Sequence, residues 1–296
     1  MTNAPGWEFD EGEEIAPERY ALQLLGGGHK YEAYLAFDEE MQSVVVAKLL
    51  RPHLVEEESA LRIMRAEADA LTRLSHPVLL RCFDVVEGGP KPHLVLEHLE
   101  GPRLSTLLRR QKRLALEQVI PLGLQLSSAL HYMHRNEMVH LDVKPKNIIM
   151  GGPPRLIDLS VARTFDEARG ATEPIGTDAY MAPEQCEPKL MGGMGPQSDV
   201  YGWGITMYEA LTGTLPYPRF EHGASHPDRF PQLYLDPLPL GSDVPPDLAQ
   251  LVMSCLEKRP EDRPLQSTIA ERLEPFVAAL PRRIVLSKFR PRALGR

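Results

Sequence analysis

Apolar and polar residues alternate along much of the first hundred positions, which is the pattern of β-strands. Two such runs flank the glycines at 26–28, V-V-V-A-K-L-L from Val44 to Leu50 forms a third, and H-L-V-L-E at 93–97 forms a fourth. Period-two alternation indicates half-buried strands, and glycines between two strands indicate a hairpin turn. Before the fourth strand, a helix is predicted whose buried face comprises Leu61, Met64, Ala68, Leu71 and Leu74.

The later part of the chain shows the three- and four-residue spacing of amphipathic helices. Helices are predicted at 104–108, 118–135, 198–211, 246–256 and 265–273, with Ser198 as the N-cap of the third. The eight prolines from Leu215 to Pro246 exclude a long helix and predict a long ordered loop. Because strand patterns give way to helical ones at the linker H-L-E-G-P, we place a boundary between two units after residue 97.

Length and composition narrow the class of protein. A chain of 296 residues with 43% apolar content can form one large or two medium cores. The net charge of -8 argues against nucleic-acid binding. The three cysteines include no C-x-x-C pair, so neither a zinc site nor disulfides are indicated, and a reducing cytoplasmic location is expected. No stretch approaches about 18 apolar residues, and none resembles a secretory signal.

The two ends carry opposite charge. Residues 1–18 form an acidic arm without periodicity, which is predicted to be loosely held, although Trp7 and Phe9 are apolar anchors that could dock it. Residues 281–296 form a basic tail that is predicted to be solvated, and membrane contact through it is not expected. Alternatively, the two ends could contact each other, or they could contact a second molecule such as a regulatory partner or another copy in a dimer.

Polar residues that could perform chemistry gather on loops between short apolar runs. The sequence H-L-D-V-K-P-K-N places Asp142, Lys144 and Asn147 close together, and Asp158 follows one short segment later. A carboxylate can accept a proton from a hydroxyl, an ammonium can hold a phosphoryl oxygen, and an amide oxygen with a second carboxylate can hold magnesium. The set predicts phosphoryl transfer, although the same residue types also collect in ordinary turns.

A lysine within the apolar third strand also indicates a site. Lys48 needs a partner if it is buried, and Glu67 lies on or beside the apolar face of the following helix. A snorkelling lysine and a solvated glutamate are the alternative. The glycine turn at 26–28 would let backbone amides approach phosphate oxygens, although such hairpins are common without ligands.

In this order and spacing the motifs resemble those of the eukaryotic-type Ser/Thr protein kinases, bacterial members in particular, across roughly residues 19–275. The agreeing motifs are L-G-G-G-H-K-Y-E-A-Y, V-V-A-K, the helix with Glu67, H-L-D-V-K-P-K-N, D-L-S and M-A-P-E. The resemblance implies an α+β bilobal fold with a β-rich N-lobe at 19–97 and a mainly helical C-lobe at 98–280. It also implies that ATP and Mg²⁺ are used to phosphorylate Ser or Thr hydroxyls of protein substrates.

The resemblance assigns roles to individual residues. Asp142 and Lys144 would be catalytic, Asn147 and Asp158 would hold Mg²⁺, and Lys48, held by Glu67, would contact the α- and β-phosphates. The implied nucleotide site comprises Gly26, Gly28, Ala33, Val46, Lys48, Glu67, Leu96, Glu97, Leu99 and Ile149, with Ala33 and Val46 above the purine, Ile149 below it and Leu96 behind it. Asp199 would brace the catalytic loop, and Glu184 would pair with Arg263, both buried.

Some positions depart from the family pattern. Leu141 stands where many members have arginine, so the usual receptor for an activation-loop phosphate is missing, and activity of this non-RD type is expected not to need that phosphorylation. Leu159 and Ser160 replace the last two residues of D-F-G, and Tyr31 occupies the third glycine position. A pseudokinase that binds nucleotide as a signalling scaffold is the alternative function. A small-molecule phosphotransferase is a second alternative function, but the M-A-P-E motif argues against it.

Overall fold

The computed structural model of the chain describes residues 5–218 and 225–280, so the predicted basic tail at 281–296 lies outside the described residues. An antiparallel sheet of six strands forms the N-terminal part, in the order β1-β2-β3-β4-β6-β5. The strands are Glu14–Ala16 (β1), Arg19–Gly27 (β2), Tyr31–Asp38 (β3), Ser43–Leu50 (β4), Cys82–Val86 (β5) and His93–Glu97 (β6). The predicted hairpin is confirmed, since β2 and β3 pair on either side of the glycine turn.

The sheet has two apolar faces, because its strands carry buried side chains on both sides. One face packs on helix α1 (Glu58–Arg73), whose Met64, Ala68 and Leu71 are buried as predicted. The other face is a separate cluster that comprises Ile15, Ala21, Tyr34, Ala36, Val45, Ala47, Leu49 and Val95. A strand buried on both sides reads as a nearly continuous apolar run, which explains the composition of β4.

The described part of the acidic arm, residues 5–18, is held more firmly than the sequence predicted. The rings of Trp7 and Phe9 stack at 5.9 Å, and Phe9 meets Tyr34 edge-on at 5.2 Å. Ile15 is only 1% exposed, and its strand β1 pairs with β2. Trp7 and Phe9 are therefore anchors, as proposed, but a loosely held arm was wrong for these residues. Three apolar side chains among many acids cover the second face of the sheet.

Helices make up most of the C-terminal part. They are Leu104–Gln111 (α2), Leu116–Arg135 (α3), Phe165–Gly170 (α4), Pro183–Cys186 (α5), Pro196–Thr212 (α6), His226–Arg229 (α7), Pro246–Ser254 (α8) and Gln266–Ala279 (α9). Helix α6 is buried on nearly every side, and the indole of Trp203 donates to the carbonyl of Gly123 in α3 at 2.9 Å. Within 215–218 and 225–245 the longest helix is α7, which agrees with the predicted irregular stretch.

Two helix boundaries differ from the prediction. Ser198 is not the N-cap of α6, because Pro196 allows the helix to begin earlier and Gly195 occupies the cap. Ser198 Oγ instead accepts from the Gly195 N–H at 3.2 Å and donates to Glu184 at 2.7 Å. Helix α9 continues to Ala279 through Pro275, a residue that signals a helix end in a sequence.

Short strands flank the polar loops, as the sequence predicted. Met138–Val139 (β7) pairs with Arg163–Thr164 (β10), and Ile148–Ile149 (β8) pairs with Arg155–Leu156 (β9). These strands fix both ends of the loop with H-L-D-V-K-P-K-N. Among the described residues, no helix combines the length and apolarity that crossing a bilayer requires.

Candidate active site

The loop between β7 and β8 is braced from beneath by the buried carboxylate of Asp199, near the start of α6. Its two oxygens accept from the N–H groups of His140 (2.9 Å) and Leu141 (2.7 Å). His134 Nε2 lies 2.9 Å from the same carboxylate. Two backbone donors on one buried carboxylate fix the conformation of the loop, so the prediction that Asp199 braces it is confirmed.

The carboxylate of Asp142 stands at the mouth of this loop and is oriented by three neighbours. Lys144 Nζ lies 2.6 Å from Oδ2, and Asn147 Nδ2 donates to the same oxygen at 3.0 Å. Thr177 Oγ1 donates to Oδ1 at 2.7 Å and accepts from Lys144. The structure therefore brings Asp142, Lys144 and Asn147 together. The contact of Thr177 with Asp142, 35 residues away along the chain, was not predicted from the sequence.

Lys48 on β4 forms a buried ion pair with Glu67 on α1. Lys48 Nζ lies 2.7 and 2.8 Å from the two Glu67 oxygens, and 3.2 Å from Asp158 Oδ1. Burial alone would lower the pKa of the Lys48 ammonium, but the two carboxylates outweigh it and raise that pKa. Burial raises the pKa of Glu67, which the Lys48 charge opposes, and at this distance the pair is ionic. The snorkelling alternative is thus excluded.

Asp158 follows β9 with a backbone φ of +69°, which is strained for a residue other than glycine. Burial would raise the pKa of its carboxyl, but the Lys48 charge and a hydrogen bond from Ser160 hold that pKa well below its usual range. The next side chain, Leu159, is buried in the main core, and its N–H donates to Glu67. Asp158 is therefore kept as an anion that faces Lys48.

Four of the ten predicted nucleotide-binding residues share one face of the sheet. Ala33 pairs with Lys48, and Val46 pairs with Leu96, so period-two geometry places all four side chains on the same side. Ile149 forms a bridge with Arg103, beside the linker that contains Leu99. This arrangement puts an apolar surface next to the Lys48 ion pair.

For three of the predicted residues, the structure limits how they could contact a nucleotide or which residue type the position accepts. The Glu97 carboxylate lies 3.1 Å from Arg155, so its side chain is committed to an ion pair and only its backbone could meet a ligand. Gly26 has a φ of +143°, which other residues rarely adopt. The N–H of Gly28 donates to the carbonyl of Tyr31 at 2.8 Å, so this amide is used within the turn.

Tyr31 lies beside the ion pair instead of leaving the space that a glycine would. Lys48 Nζ stands 4.6 Å from the centre of the Tyr31 ring, within the range of a cation–π contact. The Tyr31 hydroxyl is buried, and burial raises its pKa. The ring is thus a third neighbour of Lys48, beside Glu67 and Asp158. From the sequence, Tyr31 was expected only to make the loop bulkier.

Asn147 and Asp158 offer the oxygen ligands that magnesium prefers. Magnesium is usually held by one or two carboxylates and completed by substrate phosphates and water, so a site with one amide oxygen and one carboxylate fits it. Asn147 Nδ2 donates to Asp142, which leaves the amide oxygen as the ligand. Among the described residues there is no cluster of three or more His, Cys, Asp or Glu that could hold a metal.

Comparison with known proteins identifies the family. The model of the protein kinase domain matches residues 20–273. The chain belongs to the protein kinase family. The sheet and the helical part are therefore the N-lobe and the C-lobe of a kinase domain, and the predicted bilobal fold is confirmed.

The relatives are bacterial proteins. The chain is 26% identical over 254 residues to a probable serine/threonine-protein kinase of Clostridium acetobutylicum, covering 84% of this chain and 38% of the relative. It is 30% identical over 260 residues to the serine/threonine-protein kinase PknB of Mycolicibacterium smegmatis, covering 83% and 41%. The chain thus spans about two fifths of the length of these relatives. The resemblance to bacterial members of the family is confirmed.

The C-lobe of this kinase domain contains the predicted ion pair between Glu184 and Arg263. The two Arg263 nitrogens lie 2.7 and 2.9 Å from the two Glu184 oxygens, and both side chains are fully buried. Arg263 also donates to the carbonyls of Glu257, Lys258 and Gln197. The pair joins the start of α5 to the loop before α9, as the sequence predicted.

Leu141 packs into an apolar cluster beneath the segment that follows Asp158. It is 3% exposed and has a φ of +63°. The cluster comprises Val139, Leu141, Ala168 and Met194, with Phe165, Ala171 and Ile175 packed against it. The carbonyls of Leu141 and Ile175 both accept from Gln185 Nε2, at 2.8 and 2.7 Å. Sequence reasoning noted the missing arginine here but not the cluster.

Proposed function

We propose that this chain is an ATP-dependent protein kinase that transfers the γ-phosphoryl group to Ser or Thr hydroxyls of proteins. The observation that carries the proposal is the oriented Asp142 carboxylate, with Lys144 and Thr177 bonded to it. The ion pair of Lys48 with Asp158 adds a cation for phosphate oxygens and a carboxylate for a metal ion. Proton acceptance, phosphate neutralisation and metal binding need these groups together. The names of the bacterial relatives support Ser and Thr as acceptors.

Each residue has a role in this mechanism. Asp142 accepts the proton of the incoming hydroxyl, and Lys144, 2.6 Å away, neutralises charge on the transferred group. Lys48 holds phosphate oxygens, and Glu67 keeps its ammonium in place. Magnesium bound by Asn147 and Asp158 would supply the positive charge that the phosphates require. Ala33 and Val46 are predicted to contact the purine from above, with Ile149 below and Leu96 behind it; a nucleotide complex tests this.

The residues from Asp158 to Glu184 form the activation segment of the kinase fold. A cavity beside this segment supports a protein as the substrate. It has a volume of about 620 Å³ and is lined by Ser105, Leu108, Arg109, Tyr180, Glu209, Gly213, Thr214, Leu215 and Tyr217. Tyr180 ends the short turn that begins just after Thr177, and its hydroxyl donates to Glu209 at 2.6 Å. The cavity therefore adjoins the turn that directly follows Thr177, the residue whose hydroxyl donates to Asp142.

We further propose that activity does not depend on phosphorylation of the activation segment. The cluster around Leu141 supports this, because apolar packing holds the segment where a phosphate bound to arginine would otherwise act. Treatment of the active protein with a phosphatase should leave its rate unchanged. A rate that falls upon dephosphorylation and recovers upon autophosphorylation would contradict this part of the proposal.

The decisive experiment compares the wild type with Asp142→Asn in labelled ATP, magnesium and a generic basic protein substrate. We expect phosphate on Ser and Thr with the wild type and none with Asp142→Asn, which keeps the shape of the loop. Equal transfer by both would refute the kinase mechanism. Binding of nucleotide without transfer by the wild type would favour the pseudokinase alternative.

The cytoplasmic location and the regulatory partner or dimer stay predictions from the sequence. So does the expectation that the chain does not bind nucleic acid. Fractionation tests the location, size exclusion of the full chain tests the dimer, and a gel-shift titration with DNA and RNA tests nucleic-acid binding.

A further inference from the structure

One residue, Arg51, clasps the glycine turn between β2 and β3 from both sides. The Arg51 N–H donates to the carbonyl of Lys30 at 2.9 Å, and Arg51 Nε donates to the carbonyl of Gly28 at 2.6 Å. The guanidinium also lies across Gly27, where an added Cβ would stand 3.2 Å from Arg51 Nη2. The tip of the turn is therefore tied to the end of β4, the strand that carries Lys48.

Glu32 on β3 holds this guanidinium in place. Glu32 Oε1 lies 3.3 Å from Arg51 Nη1, and the side chains are only 7% and 14% exposed. The other oxygen, Oε2, accepts from the N–H of Trp7 at 2.9 Å. An ion pair this shielded from water is more than a surface contact, and it joins Arg51 to the N-terminal arm.

The arm is anchored to the same corner of the sheet by further contacts. Trp7 Nε1 donates to the carbonyl of Leu50 at 2.7 Å, directly before Arg51 in the chain. The carbonyl of Pro5 lies 3.5 Å from Arg51 Nη1. Gly6 passes so close to Glu32 that an added Cβ would stand 2.4 Å from Oε1. A larger residue at this position would therefore force the Glu32 carboxylate to shift.

We infer that Arg51 is a positioning residue for nucleotide binding, and that residues 5–9 of the arm keep it in place through Glu32. The inference rests on the proposed function and on the expectation from the sequence that the glycine turn approaches the phosphates of the nucleotide. A turn of three glycines loses more conformational freedom upon ordering than other segments of its length. The clasp orders the turn before the ligand arrives, so less freedom is lost on binding and the affinity for nucleotide is higher.

The first test is Arg51→Met, which keeps much of the side-chain length but removes the donors. We expect the Kd for ATP, measured by direct binding, and the KM for ATP to rise about tenfold, the change that about 1.4 kcal/mol of lost binding produces. The value of kcat at saturating ATP should stay within about twofold, because a residue that only preorganises the turn acts on binding. Amide exchange at 27–31 should accelerate.

Arg19→Lys is the matched control. Arg19 begins β2 at the end opposite the turn and bridges Asp38 at 2.7 Å and Asp84 at 2.6 Å. Its substitution weakens the same lobe without touching the clasp, so it should lower the melting temperature and leave the Kd unchanged. An unchanged Kd and unchanged exchange at 27–31 in Arg51→Met would overturn the inference, as would an equal rise in Kd in Arg19→Lys.

The role of the arm is tested by Gly6→Ala, which alters no side chain of the network but pushes on Glu32. We expect faster exchange at 27–31 and a higher Kd, with smaller effects than in Arg51→Met. Combining Glu32→Gln with Arg51→Met should add little to the single effect of Arg51→Met, because both act through one contact. Full additivity, or a turn unaffected in Gly6→Ala, would overturn the part assigned to the arm.

These readouts separate failure of this inference from failure of the proposed function. Exchange at the turn and nucleotide Kd are measured without phosphoryl transfer. A wild type that binds nucleotide without turnover would therefore refute the kinase mechanism and still leave the clasp to be judged by its own variants.

Discussion

Replacing Leu141 by alanine tests whether apolar packing holds the activation segment. The side chain is 3% exposed and lies within the cluster that includes Val139, Ala168 and Met194. Deleting three buried carbon atoms forfeits about 2.4 kcal/mol at about 0.8 kcal/mol for each. The cavity left behind brings the expected loss to about 2–5 kcal/mol of the free energy of unfolding, a large part of a total of about 5–15 kcal/mol.

The loss of packing should also lower activity, because the activation segment connects the cluster to Asp142. Ile175 packs on the cluster, and Thr177, two residues later, donates to Asp142. A displacement of Thr177 and Asp142 by about 1 Å would lower kcat on the order of 100-fold. Leu141→Met nearly conserves the volume and should cost less than about 1.5 kcal/mol, so it serves as the control.

The assay combines urea unfolding with kcat at saturating ATP and peptide, on protein treated with phosphatase. We expect Leu141→Ala to lose both stability and activity, and Leu141→Met to keep most of each. If Leu141→Ala lost less than about 1 kcal/mol, or retained the rate of the wild type, the segment would have to be held by other contacts.

Three further predictions concern other parts of the domain. Glu184→Gln leaves the Arg263 charge buried without its partner and should lower the free energy of unfolding by about 3–5 kcal/mol in urea titrations; a loss under about 1 kcal/mol would contradict this. Gly176→Ala should abolish most turnover in the kinase assay, since the residue has a φ of +119° and an added Cβ would stand 2.6 Å from the Leu141 carbonyl. Burial lowers the pKa of His93 below its ordinary 6.5, so the unfolded chain binds the proton more readily and stability should fall as pH drops through 6.5. The urea midpoint should then depend less on pH in His93→Gln, and an unaltered dependence would exclude His93 as the cause.

Much of the active site could be predicted because its residues are close in sequence or carried by regular elements. Asp142, Lys144 and Asn147 lie on one loop, so their proximity follows from spacing alone. Lys48 and Glu67 were paired because a charge in a buried strand needs a partner, and the structure places them 2.7 Å apart. The strand and helix periods located four of the six sheet strands and helix α1, but they missed β1 and β5.

The features that sequence reasoning missed depend on contacts between distant segments. Nothing near Glu97 in the chain indicates that its carboxylate would meet Arg155, 58 residues away. The apolar cluster around Leu141 combines residues from strand β7, helix α4 and neighbouring loops, all of which are too short to show a period. Ser198 carries the usual signal of an N-cap, but its hydroxyl is taken by Glu184, another long-range contact. In the acidic arm, Trp7 and Phe9 were recognised as anchors, but strand β1 with the buried Ile15 was not.

The covering of the outer sheet face by Trp7, Phe9 and Ile15 has a practical consequence for anyone who expresses this domain. The family match begins at residue 20, but a protein trimmed to that boundary would lack all three side chains. It would present Tyr34, Val45 and their neighbours to water, and exposed apolar patches of this kind promote aggregation. A piece intended for expression should therefore begin before the family match does, no later than Trp7.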